Sequence, residues 1–154
     1  MINLLDYVTP DRIISVNSDK RLEILKQLIA VTLQEEPQHL HDTVFNEITT
    51  LSRKKEISLG EGFGLAHARI DSDGPIRFGA ALLGRTIKYR KGDRVHTIFC
   101  LVVPDTKSRM YLSLMARLTR MLASPDAPKV FRNADPEEIM EFVRAFEGHV
   151  DATV

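Results

Sequence analysis

The stretch Gly60-Glu61-Gly62-Phe63-Gly64-Leu65-Ala66-His67-Ala68-Arg69 is the segment from which the fold and the chemistry of this chain are best inferred. If residues 64–69 are extended, their period of two directs Leu65, His67 and Arg69 to one face and the two alanines to the other. A neutral imidazole, with an ordinary pKa of about 6.5, is a nucleophile near pH 7, and a guanidinium can hold an anion. The segment therefore predicts a strand with His67 as a candidate phosphate acceptor. The residues alone leave a second interpretation open, a half-buried structural histidine at a strand end.

Helical patterns flank this segment on both sides. Apolar residues at helical spacing predict a first helix over 18–36, with Ser18 as its N-cap and Pro37 after its end. A second helix is predicted over 42–54, with four residues facing inward: Val44, Phe45, Ile48 and Leu51. A third is predicted over 108–123. Asp135 before Pro136 predicts the N-cap and first residue of a last helix.

Two further β-rich runs lie between these helices, at 76–83 and 94–103, and a basic turn joins them. Helices followed by strands and again by helices in one small chain indicate an α/β fold. We therefore expect a single domain over 1–154, a sandwich in which helices flank a mixed central sheet.

The composition limits the classes of function. The chain has 154 residues, and 21 Lys and Arg balance 21 Asp and Glu, so neither nucleic acid nor an anionic membrane is favoured as a partner. Cys100 is the one cysteine and lies among apolar residues, which predicts a small buried side chain and no disulfide. No leader pattern or membrane-length apolar run is present, so we expect a cytoplasmic protein.

Several other motifs give weaker signals. The glycine pattern lacks the last glycine of G-x-G-x-x-G and the Gly-Lys-Ser/Thr of a P-loop, which excludes a nucleotide loop. The pair His39-x-His41 lacks a third ligand nearby, so a solvated helix start is favoured over a metal site. His96, near the start of its strand, is interpreted as structural. The basic turn 85–94 is interpreted as a solvated hairpin tip, with binding of RNA or an acidic partner as the alternative.

The segment around His67 resembles the phosphorylation motif of enzyme IIA domains of the bacterial phosphoenolpyruvate-dependent phosphotransferase system, in the fructose/mannitol and nitrogen-regulatory family. That motif is approximately G-x-G-x-A-x-P-H-A/G-K/R, and this chain matches it at Gly60, Gly62, His67, Ala68 and Arg69. The stretch 51–56 is similar to the family's arginine-containing segment, with Arg53 as its basic residue. The run 98–104 resembles the apolar strand that ends in proline, and the helix of Tyr111 resembles the family's H-L-x-x-L-A-x-L helix.

The resemblance implies a phosphohistidine carrier. His67 would accept phosphate from the phosphocarrier HPr, and pass it to an enzyme IIB partner or report phosphorylation state to regulatory targets. Arg69 and Arg53 would neutralise the phosphoryl oxygens, the backbone at Gly62 and Gly64 would allow close approach, and Tyr111 would donate a hydrogen bond. Neither a metal ion nor an organic cofactor is required. The expected absence of a membrane segment and of an attached IIB-like loop favours the nitrogen-regulatory type over dedicated sugar uptake.

Two departures from the family pattern support an alternative. Ala66 stands where the family has a proline, and Tyr111 stands where it has a second histidine. A protein with these changes could keep the fold, lose the transfer and act as a regulatory or sensor domain through the surface around His67. Incubation with phosphoenolpyruvate, enzyme I and HPr distinguishes the two functions.

Overall fold

The computed structural model describes residues 2–50, 53–133 and 135–152, with side chains as far as residue 148. A five-stranded sheet lies at its centre, in the order β1-β4-β5-β3-β2. The strands are β1 Ile13–Ser15, β2 Glu56–Gly60, β3 Phe63–Ile70, β4 Arg77–Lys88 and β5 Arg94–Pro104. Pairs β1–β4 and β3–β5 are parallel, whereas β2–β3 and β4–β5 are antiparallel. The predicted mixed sheet is confirmed.

Helices cover both faces of the sheet. They are α1 Arg21–Thr32, α2 Gln38–Thr49, α3 Ser108–Leu122, α4 Ala127–Asn133 and α5 Pro136–Ala152. Apolar residues of α1 and α2 form one buried cluster with one face of the sheet, and those of α3, α4 and α5 form another with the opposite face. The predicted α/β sandwich is therefore confirmed.

Successive side chains of strand β3 alternate between the two buried clusters. Leu65 packs in the cluster of α3–α5, while Ala66 and Ala68 pack in the cluster of α1 and α2. This is the alternation that the sequence predicted for the segment. Cys100, in neighbouring β5, is fully buried, and burial raises the pKa of its thiol to about 12, as suits a small apolar core residue.

The boundaries of the first two helices differ from the prediction. Helix α1 begins at Arg21, because Ser18 closes a short turn by accepting the Lys20 N–H at 3.1 Å and caps no helix. Helix α2 is Gln38–Thr49, so it begins directly after Pro37 and ends before the predicted 54. Leu51, predicted to face inward there, lies outside the described residues.

The C-terminal half matches the prediction more closely. Helix α3 agrees with the predicted 108–123, and the Asp135 carboxylate accepts the Glu138 N–H at 2.9 Å, which confirms the cap of α5. Strands β4 and β5 form the predicted hairpin, and basic side chains at its tip are exposed: Arg85, Lys88, Lys91 and Arg94. The short elements β1, β2 and α4 were not predicted. Among the described residues, no helix has the length and apolar character needed to cross a membrane.

Candidate functional site

Strand β3 delivers His67 and Arg69 to the face that α3 covers. His67 pairs in register with Leu101, and Arg69 pairs with Val103, so both lie towards the ends of β3 and β5 that lead to α3. His67 is half-buried and Arg69 is exposed. The polypeptide thus places an accessible imidazole and a guanidinium one side chain apart, as the sequence predicted.

Tyr111 covers the imidazole from the first turn of α3. The ring centroids of His67 and Tyr111 lie 5.9 Å apart, and the rings are nearly parallel, at 29°. The family resemblance predicted Tyr111 as a hydrogen-bond donor to phosphate, and that role stays a prediction; in this structure the Tyr111 ring stacks on the imidazole. Neither ring nitrogen of His67 forms a hydrogen bond with any of the described residues.

Arg69 is held on both sides. Its guanidinium donates a hydrogen bond to the hydroxyl of Ser108, the first residue of α3. Its backbone N–H donates to the Glu47 carboxylate of α2 at 2.8 Å. Sequence reasoning missed Ser108, although a serine at the start of a helix that follows Pro104 is a signal that could have been used. These contacts fix the guanidinium next to the start of α3, where unpaired backbone N–H groups favour anions.

Lys55 is a second cation at the site that sequence reasoning missed. Its carbonyl accepts the His67 N–H at 3.0 Å, and its positive charge lowers the pKa of the imidazole. The pairing of β2 with β3 was not predicted, so no sequence signal connected Lys55 with His67.

These surroundings set the charge of the imidazole. Burial lowers the pKa of His67 below its ordinary value, and the positive charges of Lys55 and Arg69 lower it further. A lowered pKa means that His67 is neutral at pH 7, which is the nucleophilic form. Burial also raises the pKa of Tyr111, against the opposing charge of Arg69, so this phenol is protonated.

Arg53 does not join this group. Its guanidinium donates to the Glu56 carboxylate at 3.1 Å and to the Tyr89 carbonyl at 3.1 Å. Glu56 pairs in register with Ala66, and paired residues share a face, so Glu56 lies on the α1–α2 face, opposite to His67. The structure therefore does not bring the predicted Arg53 to the imidazole, because Glu56 binds its guanidinium on the other face of the sheet.

Gly62 and Gly64 have packing roles in this structure. Gly62 has φ +85, and a Cβ there would lie 2.3 Å from the His96 ring. A Cβ at Gly64 would lie 2.8 Å from the Tyr89 ring. Gly62 directly precedes β3 and Gly64 is its second residue, and their missing side chains make room for His96 and Tyr89. Their predicted backbone role, to allow close approach to the phosphoryl group, stays a prediction.

The remaining histidines have local partners. His96 is buried, and its ring nitrogens contact the Thr97 hydroxyl at 2.8 Å and the Glu61 carbonyl at 3.1 Å, which confirms a structural role. His41 contacts the Leu33 carbonyl at 2.7 Å, and His39 is exposed. Within residues 2–50, 53–133 and 135–152, no three His, Cys, Asp or Glu side chains are grouped as metal ligands.

Comparison with known proteins identifies the family. The model of the family described as "Phosphoenolpyruvate-dependent sugar phosphotransferase system, EIIA 2" matches residues 7–145. The chain belongs to this family. Two curated relatives are each called "Nitrogen regulatory protein". The one from Pseudomonas aeruginosa is 23% identical, over 91% of this chain and 93% of its own length. The one from Escherichia coli is 25% identical, over 93% of this chain and 88% of its own length.

Solved structures support the EIIA fold. The nitrogen regulatory protein IIA-Ntr from Neisseria meningitidis superposes with a TM-score of 0.75 at 16% identity, over 90% of this chain and 97% of that one. IIA mannitol from Escherichia coli superposes with a TM-score of 0.65 at 10% identity, over 88% of this chain and 97% of that one. At such identities these structures establish the fold alone.

Proposed function

We propose that this EIIA-family chain is a phosphohistidine carrier and that His67 is its phosphate acceptor. The observation that carries the proposal is a half-buried imidazole, neutral at pH 7, beside the cations Arg69 and Lys55. Phosphoryl transfer depends mainly on positioning and on positive groups around the phosphoryl oxygens. The neutral ring supplies the lone pair, and Arg69 neutralises charge on the transferred group.

The donor in this proposal is an HPr-like phosphocarrier in the cytoplasm. A nitrogen of His67 forms a new P–N bond as the P–N bond of the donor phosphohistidine breaks. The phosphate then passes to an enzyme IIB partner, or its presence is reported to a regulatory target. Relatives called "Nitrogen regulatory protein" favour the regulatory type.

Tyr111 favours a second candidate function. Its ring stacks on His67 where the family motif has a histidine, and it offers a neutral hydroxyl in place of a second imidazole. A domain that kept the surface around His67 and lost the transfer would act as a regulatory or sensor module. This candidate predicts binding of a partner without a phosphorylated intermediate.

The deciding experiment is incubation with phosphoenolpyruvate, enzyme I and a cognate HPr, followed by intact mass measurement under alkaline conditions, which preserve phosphohistidine. The carrier gains the mass of one phosphate, and His67→Ala abolishes the gain. His39→Ala is the matched control, since His39 is exposed and lies on α2. No mass gain in the unmodified chain would reject the carrier and favour the sensor.

A further inference from the structure

A buried carboxylate lies behind the site. Glu56, the first residue of β2, is fully buried, and one of its oxygens, Oε2, binds two guanidiniums. The Arg21 guanidinium, from α1, lies 2.6 Å from it, and that of Arg53 lies 3.1 Å from it. Buried charges persist only when they are paired and hydrogen-bonded. Glu56 therefore anchors the segment that enters β2.

Residues 53–55 form a turn that leads into β2. Glu56 anchors the chain directly after this turn, and the Arg53 side chain fixes its first residue. Its guanidinium also donates to the Tyr89 carbonyl at 3.1 Å and lies 5.6 Å from the centre of the Tyr89 ring. Its own backbone has φ 61, a left-handed conformation that is unusual for a residue with a side chain. Such conformations are maintained where the surrounding contacts fix them.

The anchored turn reaches the imidazole through Lys55. Glu56 pairs with Ala66 on the α1–α2 face, and the carbonyl of the preceding Lys55 accepts the N–H of His67 at 3.0 Å. The positive charge of Lys55 acts on the imidazole from this position. Since Arg53 is bound by Glu56 on the other face, Lys55 and Arg69 are the cations that act on His67 within the described residues.

We propose that Lys55 is the second phosphate-binding cation of the site, alongside Arg69, and that Glu56 is a positioning residue that holds Lys55 there. This inference rests on the proposed carrier function. A phosphoryl group carries charge on three oxygens, and a single guanidinium leaves part of that charge unpaired. Lys55 thus has the role that the resemblance assigned to Arg53.

Variants of Lys55 test the first part. Lys55→Met should slow phosphorylation by the HPr donor about tenfold or more, the usual contribution of a charged donor, and Lys55→Arg should restore most of the rate. Imidazole NMR should show His67 titrating at higher pH in Lys55→Met. Lys54→Met is the matched control, an exposed lysine in the same turn, and should change neither quantity. A Lys55→Met variant with the original rate and titration overturns the inference.

Variants of the anchor test the second part. Glu56→Gln should slow phosphorylation and raise the His67 titration midpoint, and in the Lys55→Met background it should add little, because its effect passes through Lys55. Arg21→Gln, which weakens the same anchor from α1, provides the second readout if Glu56→Gln does not fold. If the rate loss from Glu56→Gln or Arg21→Gln adds in full to that from Lys55→Met in the double variant, the positioning role is overturned.

The failure of this inference differs from the failure of the carrier proposal. If the unmodified chain takes no phosphate, the carrier function is rejected, and the phosphate-binding role of Lys55 is rejected with it. If the unmodified chain is phosphorylated and Lys55→Met is phosphorylated equally fast, the carrier function stands and only the inference about Lys55 and Glu56 is rejected.

Discussion

Tyr111 stacks on His67 with 5.9 Å between the ring centroids and 29° between the ring planes. The contact joins α3 to the strand that carries the candidate phosphate acceptor. Offset stacking of aromatic rings contributes about 0.5–1.5 kcal/mol beyond the area that it buries. The tyrosine therefore restrains the orientation of the imidazole, and it occupies the place where the family motif has a histidine.

Replacing Tyr111 with histidine should accelerate phosphorylation of His67 roughly tenfold. A charged donor to phosphate contributes about 1.5–3 kcal/mol, against about 0.5–1.5 kcal/mol for a neutral donor. The measurement is the rate of mass gain with the HPr donor. Tyr111→Phe is the control, since it keeps the stacked ring and removes the hydroxyl. A Tyr111→His variant no faster than the unmodified chain would contradict the prediction.

Removing the Arg69 guanidinium should lower the rate of phosphorylation and raise the pKa of His67. Arg69→Met takes away a positive charge that lowers this pKa. In the proposed site it also removes a hydrogen-bond donor to the phosphoryl oxygens. We expect a rate loss of about tenfold or more. Arg69→Lys keeps the charge without the bidentate geometry, so its phosphorylation rate should lie between those of the unmodified chain and Arg69→Met. An unchanged rate in Arg69→Met would remove Arg69 from the proposed site.

The protonation of His67 should make stability depend on pH below about 6.5. Burial and two cations lower the pKa of His67 in the folded chain, whereas in the unfolded chain this pKa is about 6.5. As the pH falls below about 6.5, the unfolded chain therefore binds a proton at His67 more readily than the folded chain does. Stability is then fully present above this pH and falls as the pH falls. Urea denaturation at pH 7.5 and 5.5 should show that the free energy of unfolding falls less between these pH values in His67→Gln than in the unmodified chain. Equal losses would contradict the lowered pKa.

Adding a methyl group at Gly62 should destabilise the fold. A Cβ there lies 2.3 Å from His96, and the φ of +85 disfavours any side chain. Overpacking costs about 1–3 kcal/mol, and the backbone conformation costs about 1 kcal/mol more. Gly84→Ala is the matched control, because Gly84 has φ +67 with nothing within 4 Å of an added Cβ. Urea denaturation should show the larger loss at Gly62, and equal losses would mean that His96 moves aside without cost.

Removing the buried Glu147 carboxylate should destabilise the chain by about 3–5 kcal/mol. Glu147, on α5, is 2% exposed, accepts the Leu4 N–H at 2.5 Å and binds the Arg117 guanidinium. Glu147→Ala breaks the connection between the N-terminal segment, α3 and α5. Glu141→Ala, an exposed position on the same helix, should change stability by no more than about 0.5 kcal/mol. Similar urea midpoints for the two variants would contradict this role.

The sequence by itself determined the features that depend on local periodicity. Alternation along β3 placed His67 and Arg69 on one face, and helical spacing and the Asp135 cap located α3 and α5. These patterns are encoded within a few residues, since the periods of strands and helices follow from backbone geometry. The same residues carried the resemblance to the family.

Only the tertiary structure decided which cations meet the imidazole. Arg53 and Lys55 are two residues apart, yet Arg53 turns to Glu56 on one face while the Lys55 carbonyl binds the His67 N–H. That choice depends on the pairing of β2 with β3 and on Arg21 from α1, contacts between residues distant in sequence. Such pairing leaves no local pattern, because strand register is fixed by packing against the rest of the sheet and its helices.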